Sequence, residues 1–187
     1  VRVMSRNQTN GRGRKNSEWI SEQGGVFATW KIGSNLIAEF SPGLIQTSIG
    51  AVVSTVLEAE MKWPNDILSR KGQKMGGILV ESSNNDVNGI RIGIGVNRFG
   101  FQVGTEILAS GWEETLGDVD ARQVFNKIDR GISSIFEKKD FLPLPSKRSL
   151  VVQSWVSLSK SLSRGVAVSL GNEVVRPSGL NQLGELR

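Results

Sequence analysis

Lys62-Trp63-Pro64-Asn65-Asp66 is the stretch from which the rest of the chain can be ordered. Pro64 sets its own φ, and Asn65 and Asp66 are strong turn formers, so a short strand over 61–63 must end here in a tight turn. Eight residues further on comes Lys74-Met75-Gly76-Gly77-Ile78-Leu79-Val80-Glu81, a strand opened by a lysine and a glycine pair. Residues 67–68 and 74–81 are therefore expected to pair as a hairpin across Arg70-Lys71-Gly72. Upstream, Ser41 can cap a helix and Pro42 suits its first turn. Leu44, Ile45, Ile49, Val52, Val53, Val56 and Leu57 then recur at three- and four-residue spacing, which predicts a helix with one apolar face.

Further strands are expected over 1–5, over the β-branched and aromatic run 26–32, and over 89–96. Gly93 and Gly95 within that last strand imply that something lies close to its backbone. A second amphipathic helix is predicted over 120–137, with Val124, Ile128, Ile132, Ile135 and Phe136 on its apolar side. A third is expected over 146–158. From Gly165 the pattern changes to short strands, at 166–170, 173–176 and 183–186. Strands interleaved with helices predict an α+β class, a mixed sheet flanked by helices.

Composition limits the chemistry. The chain of 187 residues has no cysteine and no histidine. Disulfides, thiolate metal sites, histidine acid–base catalysis and Ser-His-Asp triads are excluded. Lys, Arg, Asp, Glu, backbone N–H groups or a hard cation must carry any reaction. Hydrophobic content of 38% and charged content of 22% fit a globular protein. No apolar run approaches the roughly 20 residues of a membrane helix, so no membrane partner is expected. The net charge of +5 favours an anionic partner, although a mildly basic surface accounts for it equally well. The chain opens on Val1 rather than Met, as expected of a fragment.

One further segment points to chemistry. Asn7-Gln8-Thr9-Asn10-Gly11-Arg12-Gly13-Arg14-Lys15 is polar, basic and punctuated by glycine. Arginine forks bind carboxylate or phosphate bidentately, and glycines let backbone N–H groups face a ligand. Trp19, five residues beyond Arg14, can stack on a base or anchor the core. Lys74 places a positive charge beside Gly76 and Gly77, whose missing side chains leave room for a ligand. Taken singly, each feature also fits an ordinary basic turn, a core tryptophan or a solvated strand lysine.

Taken in order, these segments resemble the biotin protein ligase family. The order is Gly-Arg-Gly-Arg, Trp, a helix, Lys-Trp-Pro-Asn-Asp, Lys-x-Gly-Gly-Ile-Leu-Val-Glu, and Gly93-Ile94-Gly95-Val96-Asn97. The likeness is strong over residues 1–100 and follows general layout beyond. It implies a class II synthetase-like catalytic domain over 1–160 and part of an SH3-like module over 161–187. It implies an ATP-dependent ligase that forms biotinyl-5′-AMP and passes biotin to a lysine of a carboxylase carrier domain. ATP and biotin would be substrates, with Mg²⁺ arriving on the nucleotide and no protein metal ligands assigned.

The resemblance also implies residue roles. Gln8, Gly11, Arg12, Gly13, Arg14, Lys74, Gly76 and Gly77 would surround biotin. Arg14, Lys15, Trp19, Asn65, Asp66 and Asn97 would serve the nucleotide, and Lys74 and Arg14 would be catalytic. The setting would be cytoplasmic, with the biotin-carrier domain as partner and a homodimer left open. Nucleic acid would be a partner only through a DNA-binding domain upstream of Val1. The sequence departs from the family's pattern in lacking its upstream Ser-Thr-Asn segment and in having Ser17 where an arginine is common. The connection at 58–61 is shorter than usual, and the β module stops early. Readings that compete are a lipoate or octanoate ligase or acyltransferase of the same fold, an RNA-binding module and a biotin-sensing regulator.

Overall fold

The computed structural model describes residues 1–5, 7–37, 40–82, 89–103, 107–137, 152–153, 155–156, 158–159, 168–170 and 173–186. Strands β1 (Arg2–Ser5), β4 (Val26–Ile32), β7 (Lys74–Glu81) and β8 (Ile90–Val96) form the body of a sheet. Its order is β1-β4-β8-β7, antiparallel throughout. Beyond β7 the sheet continues through β10 (Ile107–Ala109), which is parallel to β7, and β9 (Phe101–Val103). Strands β5 (Glu60–Lys62) and β6 (Asp66–Leu68) form a hairpin that also joins β7, with a bulge between Ile67 and Leu68. The sheet is thus mixed, as expected.

Its two faces have different tasks, and strand alternation assigns them. Val26, Ala28, Trp30, Ile90, Ile92, Ile94, Val96 and Ile78 belong to one buried core. That core is closed by helix α2 (Pro42–Leu57), through Leu44, Ile45, Ile49, Val53 and Leu57. Helix α4 (Ala121–Glu137) adds Val124, Ile128, Ile132, Ile135 and Phe136. Val52 and Val56, on the predicted apolar face of α2, are partly buried at its margin. The two helices cross closely: a Cβ on Gly131 would stand 2.5 Å from Val52 Cγ1. Trp30 links sheet to helix, since its Nε1 donates to Asp129 Oδ1 at 2.8 Å and its ring stacks on Phe125.

The ends of α2 follow the sequence. Ser41 accepts from Leu44 N at 3.2 Å and donates to Leu183 O at 3.0 Å. Glu58 closes the helix in the left-handed region, with φ of 51°. Three residues of β5 then suffice to reach the turn, so the short 58–61 connection leaves a strand of three residues. The Trp63–Pro64 bond is cis. The predicted hairpin across 70–72 is present, with Gly72 at φ of 82°.

Several elements were not expected. They are the two-residue strands β2 (Gly11–Arg12) and β3 (Glu18–Trp19), β9, β10, and the four-residue helices α1 (Ser34–Ile37) and α3 (Glu113–Leu116). Much of the predicted third helix lies outside the described residues, and those that are described within 152–158 are helical. Of the predicted carboxyl-terminal strands, β11 (Val168–Leu170) and β12 (Glu173–Val175) pair antiparallel. The third is reduced to a single bridge, Leu180 to Leu186.

Candidate functional site

The sheet face opposite the helices presents Gly77, Leu79 and Glu81 of β7 and Arg91, Gly93 and Gly95 of β8. Gly77 and Gly95 are register partners there, as are Leu79 with Gly93 and Glu81 with Arg91. These positions, with Thr29 of β4, floor a cavity of about 440 Å³. The basic loop folds over it as the β2–β3 hairpin, in which Gly11 pairs with Trp19 and Arg12 with Glu18. Between the strands Gly13 N donates to Ser17 O at 2.7 Å, and Ser17 Oγ donates to Arg14 O at 2.8 Å. Ser17 thus closes the tight turn that points Arg14 at the cavity.

The structure brings most of the predicted residues together. Gln8, Arg12, Gly13, Arg14, Trp19, Asn65, Asp66, Lys74 and Gly77 all line the cavity. Lys74 reaches back toward the turn, and its Nζ lies 2.7 Å from Asp66 Oδ1. The same ammonium stands 5.6 Å from the Trp19 ring centroid. Arg14 Nη1 donates to Asn65 Oδ1 at 3.4 Å, which ties the basic loop to the turn. Arg12 is 3.7 Å from Glu81, and Gln8 Oε1 accepts from Ser21 Oγ at 2.8 Å.

Four predicted residues are placed elsewhere. Gly11 does not line the cavity: a Cβ there would stand 2.4 Å from Trp19 O, so hairpin closure explains its identity. Gly76 faces into the sheet, where a Cβ would come 2.8 Å from Gly95 O. Lys15 is exposed in the left-handed region at φ of 53° and is not part of the lining. Asn97 is buried, and its Nδ2 donates to Ser110 O at 3.3 Å. Its Oδ1 is enclosed with no hydrogen-bond partner among the described residues.

Sequence reading overlooked Glu18, Glu81 and Arg91, which line the cavity. Strand alternation from Gly77 and Gly93 would have found the last two, because residues two apart share a face. The lining carries four cationic side chains (Arg12, Arg14, Lys74, Arg91) and three carboxylates (Glu18, Asp66, Glu81). Cations crowded around a glycine-floored slot can hold an anionic ligand with a flat or extended body. Among the described residues no group of three or more acidic side chains gathers to hold a metal ion, and no helix is long and apolar enough to cross a membrane.

The mixed sheet carries helices on one face and a basic, glycine-floored cleft on the other. The chain belongs to the biotin/lipoate A/B protein ligase family, whose sequence pattern matches residues 2–97, just over half of its length. It is 36% identical over 107 residues to a biotin–[acetyl-CoA-carboxylase] ligase of Paracoccus denitrificans, covering 52% of this chain and 44% of that protein. It is 37% identical over 103 residues to the bifunctional ligase/repressor BirA of Bacillus subtilis, covering 51% and 31%. The chain therefore spans less than half the length of these two curated relatives.

Among solved structures, the biotin protein ligase of Aquifex aeolicus in complex with biotin and ATP superposes with a TM-score of 0.78 at 25% identity, covering 99% of this chain and 80% of that one. The Leishmania major biotin protein ligase in complex with biotinyl-5-AMP shares the fold, with a TM-score of 0.68 at 22% identity, covering 99% and 82%.

Proposed function

We propose that this chain is the catalytic part of a ligase that condenses biotin with ATP and transfers the biotinyl group to a lysine of a carboxylase carrier domain. The observation that carries the reading is the convergence of Lys74, Arg12 and Arg14 on one cavity. The first step brings two anions together. A biotin carboxylate oxygen bonds to the α-phosphorus, the bond from that phosphorus to the bridging oxygen breaks, and pyrophosphate leaves. Lys74 and Arg14 would offset the repulsion and stabilise the charge that builds on the phosphoryl oxygens. To do so, Lys74 must exchange its Asp66 partner for substrate oxygens.

In the second step the carrier amine attacks the acyl carbon of the mixed anhydride, the acyl–oxygen bond breaks, and AMP leaves. The anhydride is already activated, so no protein nucleophile is required. That suits a chain without Cys or His. The protein's further contribution is to align the two substrates. Mg²⁺ would enter on the triphosphate and neutralise part of its charge.

The wider reading is also ours: a catalytic unit over 1–160, an SH3-like module begun at 161–187, a cytoplasmic setting and the carrier domain as partner. The activity is tested by supplying biotin, Mg²⁺-ATP and an apo carrier domain. Release of pyrophosphate with labelling of one carrier lysine is expected. Preferential adenylation of lipoate or octanoate would move the protein to another branch of its family.

A further inference from the structure

Gly95 has a steric property that its neighbours lack. A Cβ built on it would stand 2.7 Å from Trp19 Cε2, 2.9 Å from Cζ2 and 2.9 Å from Nε1. Three contiguous ring atoms at nearly equal distance mean that the face of the indole, not its rim, meets the glycine. The other side of the ring reaches Gly77, where a Cβ would be 3.4 Å from Cζ3. Gly77 and Gly95 are cross-strand partners, so together they form a side-chain-free platform two strands wide. By contrast, a Cβ on Gly93, two residues earlier on the same face, would meet only Leu79, at 3.7 Å.

The seated indole has Lys74 beside it. Lys74 Cε lies 3.9 Å from the Cβ position of Gly77, and Nζ lies 5.6 Å from the ring centroid while paired with Asp66. An ammonium over an aromatic face is attracted by the ring quadrupole. The Trp19 Nε1 is enclosed without a hydrogen-bond partner among the described residues, so ring packing holds the indole in place there. We propose that Gly95 is a positioning residue: it seats Trp19 against β7 and β8, and the seated ring sets where the Lys74 ammonium stands. The inference rests on the ligase reading and goes beyond it by naming what aligns its lysine. Gly95→Ala removes no charged side chain. It forces the indole to retreat by more than half an ångström, since 3.4 Å is the near edge of ordinary contact for a Cβ.

Two measurements decide the matter. The first is the tryptophan indole N–H resonances, with Trp19 assigned through Trp19→Phe. Both Gly95→Ala and Lys74→Ala should shift the Trp19 signal, and Gly95→Ala should speed its hydrogen exchange. The second is biotin-dependent pyrophosphate release by wild type, Gly95→Ala, Lys74→Ala and the double variant, with thermal melts alongside. Gly95→Ala should lower kcat/KM for biotin roughly ten- to a hundredfold, the scale of a misplacement near 1 Å. It should add nothing to Lys74→Ala. Losses that multiply in the double variant, or an unmoved Trp19 signal, would overturn the proposal. Should Gly95→Ala not fold, Trp19→Leu keeps the glycine, removes the seated ring and is subject to the same test against Lys74→Ala. Wild-type protein inert toward biotin would overturn the ligase reading instead, and the indole signal would still decide whether Gly95 seats Trp19 beside Lys74.

Discussion

Lys62 and Lys74 flank the same turn, yet only one of them meets the cavity. Lys62 lies exposed on β5, while Lys74 bonds Asp66 and stands over Trp19. If Lys74 stabilises the charge of adenylation, Lys74→Ala should slow pyrophosphate release by about 10²–10³, the effect of removing one preorganised electrostatic donor. Lys74→Arg should restore only part of the rate, because a planar fork does not replace a point charge at the same reach. Lys62→Ala should change the rate little. A dead Lys62→Ala beside a near-normal Lys74→Ala would assign the chemistry to the wrong lysine. Arg14 calls for a different measurement, since its proposed partner is phosphate. Arg14→Ala should weaken retention of biotinyl-AMP more than the binding of free biotin. Losing a charged hydrogen-bond partner costs about 1.5–3 kcal/mol. Leakage would be read as labelling of bystander proteins, and an unchanged adenylate off-rate would count against this role.

Among the elements, α2 matters most, because it closes the core beneath the strands that floor the cavity. Its cap does two jobs: Ser41 accepts from Leu44 N and donates to Leu183 O. Ser41→Ala should therefore destabilise the fold by about 0.5–2 kcal/mol, at the upper part of that range if the Leu183 contact contributes. Chemical denaturation of the two proteins would measure it, and equal midpoints would show that neither bond contributes. The long elements were legible because their periods are strong. Leu44 to Leu57 and Val124 to Phe136 carry the helical spacing, and the run at 26–32 is β-branched and aromatic. Strands β2 and β3 were not legible. Two residues have no period, and the hairpin depends on Gly11 admitting Trp19 O at close range. Strands β9 and β10 and helices α1 and α3 are too short for the same reason. Residue types read in order pointed to Arg12, Arg14, Asn65, Asp66 and Lys74, which line one cavity. They did not reveal that Gly11 and Gly76 lie outside that lining, where the backbone packs closely, or that strand pairing brings Glu81 and Arg91 into it.

For the whole molecule, one face of a mixed sheet packs against helices and the other carries the cavity. The helices bury the first, and a basic hairpin roofs the second. This division lets a floor of glycines and charges persist without weakening the core. The central claim is that the roofed cavity receives biotin and joins it to a nucleotide. Calorimetric titration of the protein with biotin, in the presence and absence of Mg²⁺ and a non-hydrolysable ATP analogue, tests it most directly. The account predicts saturable one-to-one biotin binding, tightened by the nucleotide and abolished or strongly weakened in Arg12→Ala and Lys74→Ala. No heat of binding for biotin in a folded sample, or equal binding by both variants, would contradict it.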